Sequence, residues 1–287
     1  MKNKIILIGL ILILASLAAC GGSDNSLESI QDSGTVEVGF ANESPYAYEE
    51  DGELKGAAVD IATAVFAELG VDNVEGKLSD FGELIPGVQA GQFDVVTAGM
   101  AINPERCENA LFGEPEMVYG EGLVVEAGNP LSIESYEDIA DNPDVTVVVM
   151  EGATEIEFLK SEGVDDDQII TASDIPATFS AIQAGRANAT TGTEMTVREA
   201  FESADTEDLE IVENFEQPEN IDGVPSYGAA AFSLENEELR DAYNEKLEEL
   251  KEDGTVAELL EQNGFHPESN FVEAGSVTAE QVCKGEY

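Results

Sequence analysis

Three features of the sequence predict an α/β protein of two lobes. Apolar strand-like runs alternate with amphipathic helical stretches, which argues for largely parallel sheets flanked by helices. The alternation restarts after Pro130, as though a second unit begins there. Two clusters of Pro, Gly and Asn, at 126–130 and 217–225, offer places for the chain to pass between units. A chain of 287 residues is long enough for two lobes of ordinary domain size. Two passages between two lobes make a hinge and a cleft, a common place for small ligands.

The elements follow in order. Lys2 and Lys4 precede an apolar run from Ile5 to Ala19. That run is shorter than the roughly 20 apolar residues a membrane-spanning helix needs. Its basic start and small-residue end read as an export signal, residues 1–19. "LAAC" resembles the bacterial lipoprotein box, which implies lipidation of Cys20 and anchorage on the outer face of the cell membrane. Residues 20–32, opening on "GGSDNSLES", are expected to be a flexible tether.

"TVEVGF" (35–40) reads as a strand, and 57–70 has helical spacing, with Val59, Ala62, Val65, Phe66 and Leu69 on one face and a stop at Gly70. A short helix over 81–91, a buried strand over 93–99 and another strand over 121–128 complete the first series. In the second, "DVTVVVM" (144–150) is nearly continuous apolar sequence, as expected for a sheet covered on both faces. A helix over 153–163, a strand over 168–172, a helix over 174–185 and a strand over 187–193 follow. Asp174 is a candidate cap, with Pro176 in the first turn. A strand at 227–233 and two helices broken at Gly254 end the pattern. The expected division is a first lobe of 33–125 with 226–287 and a second lobe of 126–225.

Charge narrows the partners. The chain has 12 Lys and Arg against 61 Asp and Glu, a net charge of −49. Cleavage before Cys20 would remove two lysines and no acid, making it −51. Such a surface repels nucleic acid and anionic headgroups. It suits a solvated shell in salty or alkaline surroundings, as a halophile or alkaliphile meets them. With Cys20 set aside, Cys107 and Cys283 remain, and an even pair in an exported chain suggests a disulfide. His266 is the sole histidine and is expected at the surface, so histidine-based metal sites and catalytic triads have little to work with. No metal and no cofactor are expected.

The segments "VGFANESPYAY", "GAAVDIATAVFAELG", "LIPGVQAGQFDVVTAGMAINPERC", "AIQAGRANA" and "LEELKEDGTVAELLEQNGF" resemble the extracellular solute-binding proteins of polar amino-acid ABC importers, over roughly 33–266. "ANESPYAY", "FGELIPG" and "AGMAINPERCENALF" are most similar to ectoine- and hydroxyectoine-binding members. The resemblance implies a periplasmic-binding-protein fold, capture of a ligand between the lobes and delivery to a membrane permease. It also implies a monomeric binding protein and no enzyme. A polar amino acid is the alternative ligand, and service to a sensor a further role. Some enzymes of this fold, periplasmic dehydratases among them, use cleft carboxylates, and Glu43 and Glu194 could be cast that way. Nothing in the sequence demands it.

The resemblance assigns residues. Arg106 would grip a ligand carboxylate, for which the guanidinium fork is suited; the competing reading is an ion pair with Glu105 or Glu108. Asn103 stands where a threonine is usual and can still bond a carboxylate. Ala153 and Thr154, at a strand-to-helix junction, would add backbone donors. Thr193 replaces the aspartate that meets an α-ammonium in ordinary amino-acid binders, which argues against a standard α-amino acid. Glu194 beside it should point to the opposite face. Glu43 would supply the negative charge for an amidinium, and Tyr46 and Phe81 would enclose the ring, at about 0.5–2 kcal/mol per cation–π face. Ala101 occupies the place of a third aromatic wall, leaving it open unless Tyr119 or Tyr227 fills it.

Overall fold

A computed structural model of the chain describes residues 25–204, 207–219, 221 and 223–287. The export signal and Cys20 lie outside these residues. The strands run β1 (Thr35–Phe40), β2 (Tyr48–Glu50), β3 (Glu53–Lys55), β4 (Asn73–Leu78), β5 (Val95–Ala101), β6 (Leu111–Phe112) and β7 (Met117–Tyr119). They continue as β8 (Glu121–Glu126), β9 (Val147–Met150), β10 (Ile169–Ala172), β11 (Ala189–Thr193), β12 (Leu209–Ile211) and β13 (Ser226–Phe232). Among the described residues they form two sheets and a small β2–β3 hairpin.

The first sheet has the order β4-β1-β5-β13-β6, with β7 also on β13. β1 lies parallel to β4 and β5, and β13 closes back antiparallel on β5. Every residue of β5 is buried, as its unbroken small and apolar sequence predicts. The helices Ala57–Glu68, Glu237–Glu252 and Thr255–Gln262 cover one face through Ile61, Val65, Phe66, Leu239, Leu247, Val256 and Leu260. The second sheet has the order β10-β9-β11-β8-β12, parallel around the fully buried β9 and antiparallel at β8. Its helix Ile175–Gln183 starts at Asp174, whose carboxylate accepts from Ala177 N–H at 2.8 Å.

This is the two-lobed periplasmic-binding-protein fold, with two expected boundaries displaced. β8 belongs to the second sheet, so the chain crosses between lobes at Gly120, not near residue 125. β7 and β8 are separated by that one residue, so no loop-like composition marks the passage. The stretch expected as a tether is folded from Ser26 onward. Ser26 caps the helix Leu27–Ser33, and Ile30 enters the first core. β4 was hidden by its composition: "NVEGKL" is an exposed edge strand with little apolar pattern. His266 is exposed.

A disulfide joins Cys107 to Cys283, with Cα atoms 5.8 Å apart. Beyond it, the Tyr287 ring meets Tyr227 edge-on at 5.4 Å, and its hydroxyl accepts from Gly223 N–H at 2.6 Å. No described helix is long and apolar enough to cross a membrane.

Candidate ligand-binding site

The carboxyl ends of the strands aim the site residues into the space between the lobes. Glu43 and Tyr46 follow β1, Phe81 follows β4, and Arg106 follows β5. From the facing lobe, Ala153, Thr154 and Glu155 follow β9, and Thr193 ends β11. Ligands of parallel sheets bind outside such strand ends because the connecting loops leave a crevice there.

After β1 the backbone turns sharply. Glu43 N–H donates to the Ala47 carbonyl at 2.8 Å, and Tyr46 and Ala47 N–H groups return to the Glu43 carbonyl at 3.0 and 2.9 Å. The turn presents Glu43 and Tyr46 side by side. The Tyr46 ring lies on β5 at Gly99, where a Cβ would come 2.2 Å from Tyr46 Cδ1, so only glycine fits beneath it. Tyr119 and Phe265 meet the same ring edge-on at 5.3 and 5.2 Å. Tyr119 is fixed in turn by donating to the Gly99 carbonyl at 2.5 Å.

Arg106 rides on the short helix Pro104–Cys107. Asn103 Oδ1 accepts from Arg106 N–H at 2.7 Å, so Asn103 acts as the cap that starts this helix. The half-buried guanidinium donates from Nη1 to the Ala101 carbonyl at 2.7 Å and from Nη2 to the Gly152 carbonyl at 2.9 Å. Two of its five N–H groups are used this way, and the rest can still form a fork on a carboxylate. Its Cζ sits 5.4 Å from the Phe81 centroid, within cation–π range. The Gly152 bond ties the lobes together. Beside it, Gly152 has φ of +82°, and a Cβ there would lie 2.7 Å from Gly82 Cα.

A second tie runs through Glu43. Thr196 Oγ1 donates to Glu43 Oε1 at 2.6 Å across the cleft, and Thr193 Oγ1 donates to Thr196 Oγ1 at 2.9 Å. Thr193 thus faces the site but acts on Glu43 through Thr196. Burial raises the Glu43 carboxyl to about 7; the Thr196 bond opposes this, the charge of Glu155 adds to it, and Arg106 opposes it. Two further acids are buried here: Glu121 is 2% exposed and Glu155 3%. Burial, and then the neighbouring Glu155 carboxylate, hold Glu121 well above the usual carboxylate range.

One cavity of about 20 Å³ is bordered by Glu43, Tyr46, Phe81, Ala101, Arg106, Tyr119, Met150, Ala153, Thr154, Glu155 and Thr193. It brings together the residues expected from the sequence except Asn103. Asn103 borders an adjoining space of about 430 Å³ that opens outward past Phe81 and Arg106. The Ala153 N–H already donates to the Met150 carbonyl at 3.2 Å, which removes it as an anion donor in this arrangement. Tyr119, not Tyr227, stands beside Ala101 on the open wall. Glu194 points away and pairs with Arg198 at 3.6 Å. Sequence reasoning missed Glu121, Glu155 and Thr196. An acid in a helix's first turn or at a strand start is so common that neither position signals burial. Among the described residues no cluster of His, Cys, Asp and Glu is arranged to hold a metal ion.

Residues 36–266 match the family model of bacterial extracellular solute-binding proteins, family 3. A probable amino-acid ABC transporter periplasmic-binding protein of Sinorhizobium fredii is 37% identical over 263 residues, covering 90% of this chain and 86% of the relative. Among solved structures, EhuB in complex with hydroxyectoine is similar at a TM-score of 0.81 and 34% identity, over 90% of this chain and 98% of that one. An ancestral arginine-binding protein bound to arginine is similar at 0.69 and 30% identity, over 80% and 97%.

Proposed function

Because the chain belongs to the bacterial extracellular solute-binding proteins of family 3, we propose that its cleft captures ectoine, hydroxyectoine or a similar cyclic zwitterion for import. At the coarser level it is a solute-binding protein of an amino-acid-type ABC importer, working outside the cytoplasm. The observation that carries the finer reading is one cavity bordered by a guanidinium, two buried carboxylates and three aromatic rings. Arg106 holds the ligand carboxylate and Glu43 its amidinium. Tyr46 and Phe81 flank the ring, with Tyr119 in place of the aromatic that Ala101 lacks. The hydroxyectoine-bound neighbour supports this choice of ligand.

Capture requires motion. A cavity of about 20 Å³ has room for little more than one water, so a ring-sized ligand enters with the lobes apart. Closure then brings Thr154, Glu155 and Thr196 of the second lobe to the charges of the first. Excluding water strengthens those charged contacts and makes an unmatched partner costly. In this reading a lipid on Cys20 holds the monomeric protein beside its permease. Cys20→Ser should release the protein from the membrane fraction.

Calorimetry of the processed protein against ectoine, hydroxyectoine, glycine betaine, glutamine and arginine tests the ligand. Truncating one member of a buried charged pair costs about 2–5 kcal/mol. At about 1.4 kcal/mol per tenfold, Arg106→Ala or Glu43→Ala should weaken ectoine binding at least ~25-fold. Near-native binding by folded Arg106→Ala would remove the arginine from its role. A polar amino acid is the second reading. The buried acids Glu43 and Glu155, which both border the cavity, favour it, since they outnumber Arg106 and would suit a more cationic ligand. Tighter binding of arginine than of ectoine would replace the first reading with the second.

A further inference from the structure

Glu121 is buried at the first crossover, yet it does not border the ligand cavity. Its surroundings are built around it. Ser226, the first residue after the second crossover, donates from Oγ to Glu121 Oε1 at 3.1 Å. The Gln217 side chain accepts from Glu121 N–H and donates to the Glu121 carbonyl, both at 2.7 Å. Oε2 is buried with no donor of its own, and the Glu155 side chain lies close enough to hydrogen-bond with the Glu121 carboxyl. Two carboxylates in that relation can bond only if one carries the proton. Glu155 borders the cavity, so anything Glu121 does to the ligand passes through Glu155.

We propose that Glu121 is a positioning residue for ligand capture: its protonated carboxyl donates to Glu155, fixes that carboxylate at the cleft floor, and links its placement to Ser226 and Gln217 at the hinge. The pair then presents one negative charge. Removing the shared proton leaves two buried like charges in contact, which must separate and displace Glu155 from the cavity. Burial holds the proton on Glu121 well beyond the usual carboxylate range.

The other groups around the pair titrate elsewhere or have different partners. Tyr46, Tyr119 and Tyr136 are all held above the ordinary phenol value, mainly by burial, and stay neutral. Arg106 is cationic, while Glu194 and Arg198, on the helix packed against β8, pair on the outer face. Glu43, raised to about 7, changes charge near neutrality. A cationic ligand needs Glu43 ionised and Glu121 protonated. Affinity should therefore rise with pH as Glu43 ionises near 7 and fall wherever Glu121 loses its proton.

The test measures Kd for ectoine from pH 6 to 10 in wild type, Glu121→Gln and Glu121→Ala, alongside ¹³C NMR titration of the glutamate carboxyls. The inference rests on the proposed ligand only for the first arm. An amide keeps both bonds, accepting from Ser226 and donating to Glu155. Glu121→Gln should therefore retain the rising limb set by Glu43 and lose the falling one. In wild type that limb should approach a tenfold loss per pH unit, the most one linked proton gives. Glu121→Ala, with nothing to hold Glu155, should bind at least tenfold more weakly than Glu121→Gln at pH 8. A falling limb that persists in Glu121→Gln, or a Glu121 carboxyl that titrates in the ordinary range, overturns the proposal. If ectoine fails to bind at any pH, the ligand assignment falls, and the carboxyl titration alone decides this inference.

Discussion

Gly152→Ala should impair closure of the lobes without touching a ligand group. The added Cβ would lie 2.7 Å from Gly82 Cα on the facing lobe, a contact that real Cβ atoms do not make. Two backbones are involved, so no flexible side chain can yield and the lobes must close less far. Overpacking of this kind typically costs about 1–3 kcal/mol. Because ligand is held only by the closed form, affinity should fall about 5- to 140-fold at about 1.4 kcal/mol per tenfold. A separate cost of about 1–2 kcal/mol comes from placing alanine at φ of +82°. That cost is common to open and closed forms, so it lowers Tm and leaves affinity alone. Gly82→Ala is the control: its Cβ would meet the Glu151 carbonyl oxygen at 3.6 Å, an ordinary contact, and should change affinity little. Calorimetry with the tightest ligand of the panel gives Kd, and small-angle scattering with and without it reports closure. Native affinity and full closure in Gly152→Ala would refute the reasoning, as would equal damage from both substitutions.

Burial raises Glu43 to about 7, so its stability effect is signed. The native state keeps a proton the unfolded chain loses, and stability is highest below the unfolded value of 4.5 and declines up to about 7. The decline is about 3 kcal/mol by linkage; unfolding of Glu43→Gln across pH should lack it, and an unchanged slope would count against the assignment. Thr196→Val removes the donor that favours ionised Glu43, so the acid limb of ligand binding should move to higher pH; a fixed midpoint would mean that the bond contributes nothing. Replacing Cys107 and Cys283 by serine opens a loop with a sequence separation of 176, worth about 5 kcal/mol in the chain-entropy account. Chemical denaturation should show a loss of several kcal/mol, and a loss under about 1 would contradict that account. Ala101→Phe should weaken ectoine binding, because Tyr119 already stands on that wall of a cavity of about 20 Å³; improved affinity would mean that the wall is open in the bound form.

The lobes and most parallel strands were legible because buried strands such as "DVTVVVM" and helices such as 57–70 carry their burial in their pattern. β4 was illegible for the opposite reason: an exposed edge strand needs its partner β1, not apolar residues. The crossover at Gly120 escaped because a strand that switches sheets carries no loop signal. In the site, Arg106 stood out as a rare cation in an acidic chain. Glu121 and Glu155 were camouflaged by the same acidity, since 61 acids give no means of telling two buried ones from the solvated rest. The resemblance points Asn103 toward the ligand, whereas its amide oxygen accepts from the backbone N–H of Arg106.

The C-terminal segment bears on how the lobes can turn. Two crossings define a line, and rigid bodies joined at two points can swing about it but also shear and twist. The segment from Cys283 to Tyr287 adds a third attachment, fixed by the disulfide at the arginine-bearing helix and resting on Gly223 beside the second crossing. A contact so near the rotation line moves little while the lobes swing, so it can persist through the whole cycle. It resists torsion and leaves the swing free, much as a door gains a second hinge pin. The stretch from Cys283 to Tyr287 is thus a bearing surface, and a label attached there would report on the axis of the motion and disturb it at once.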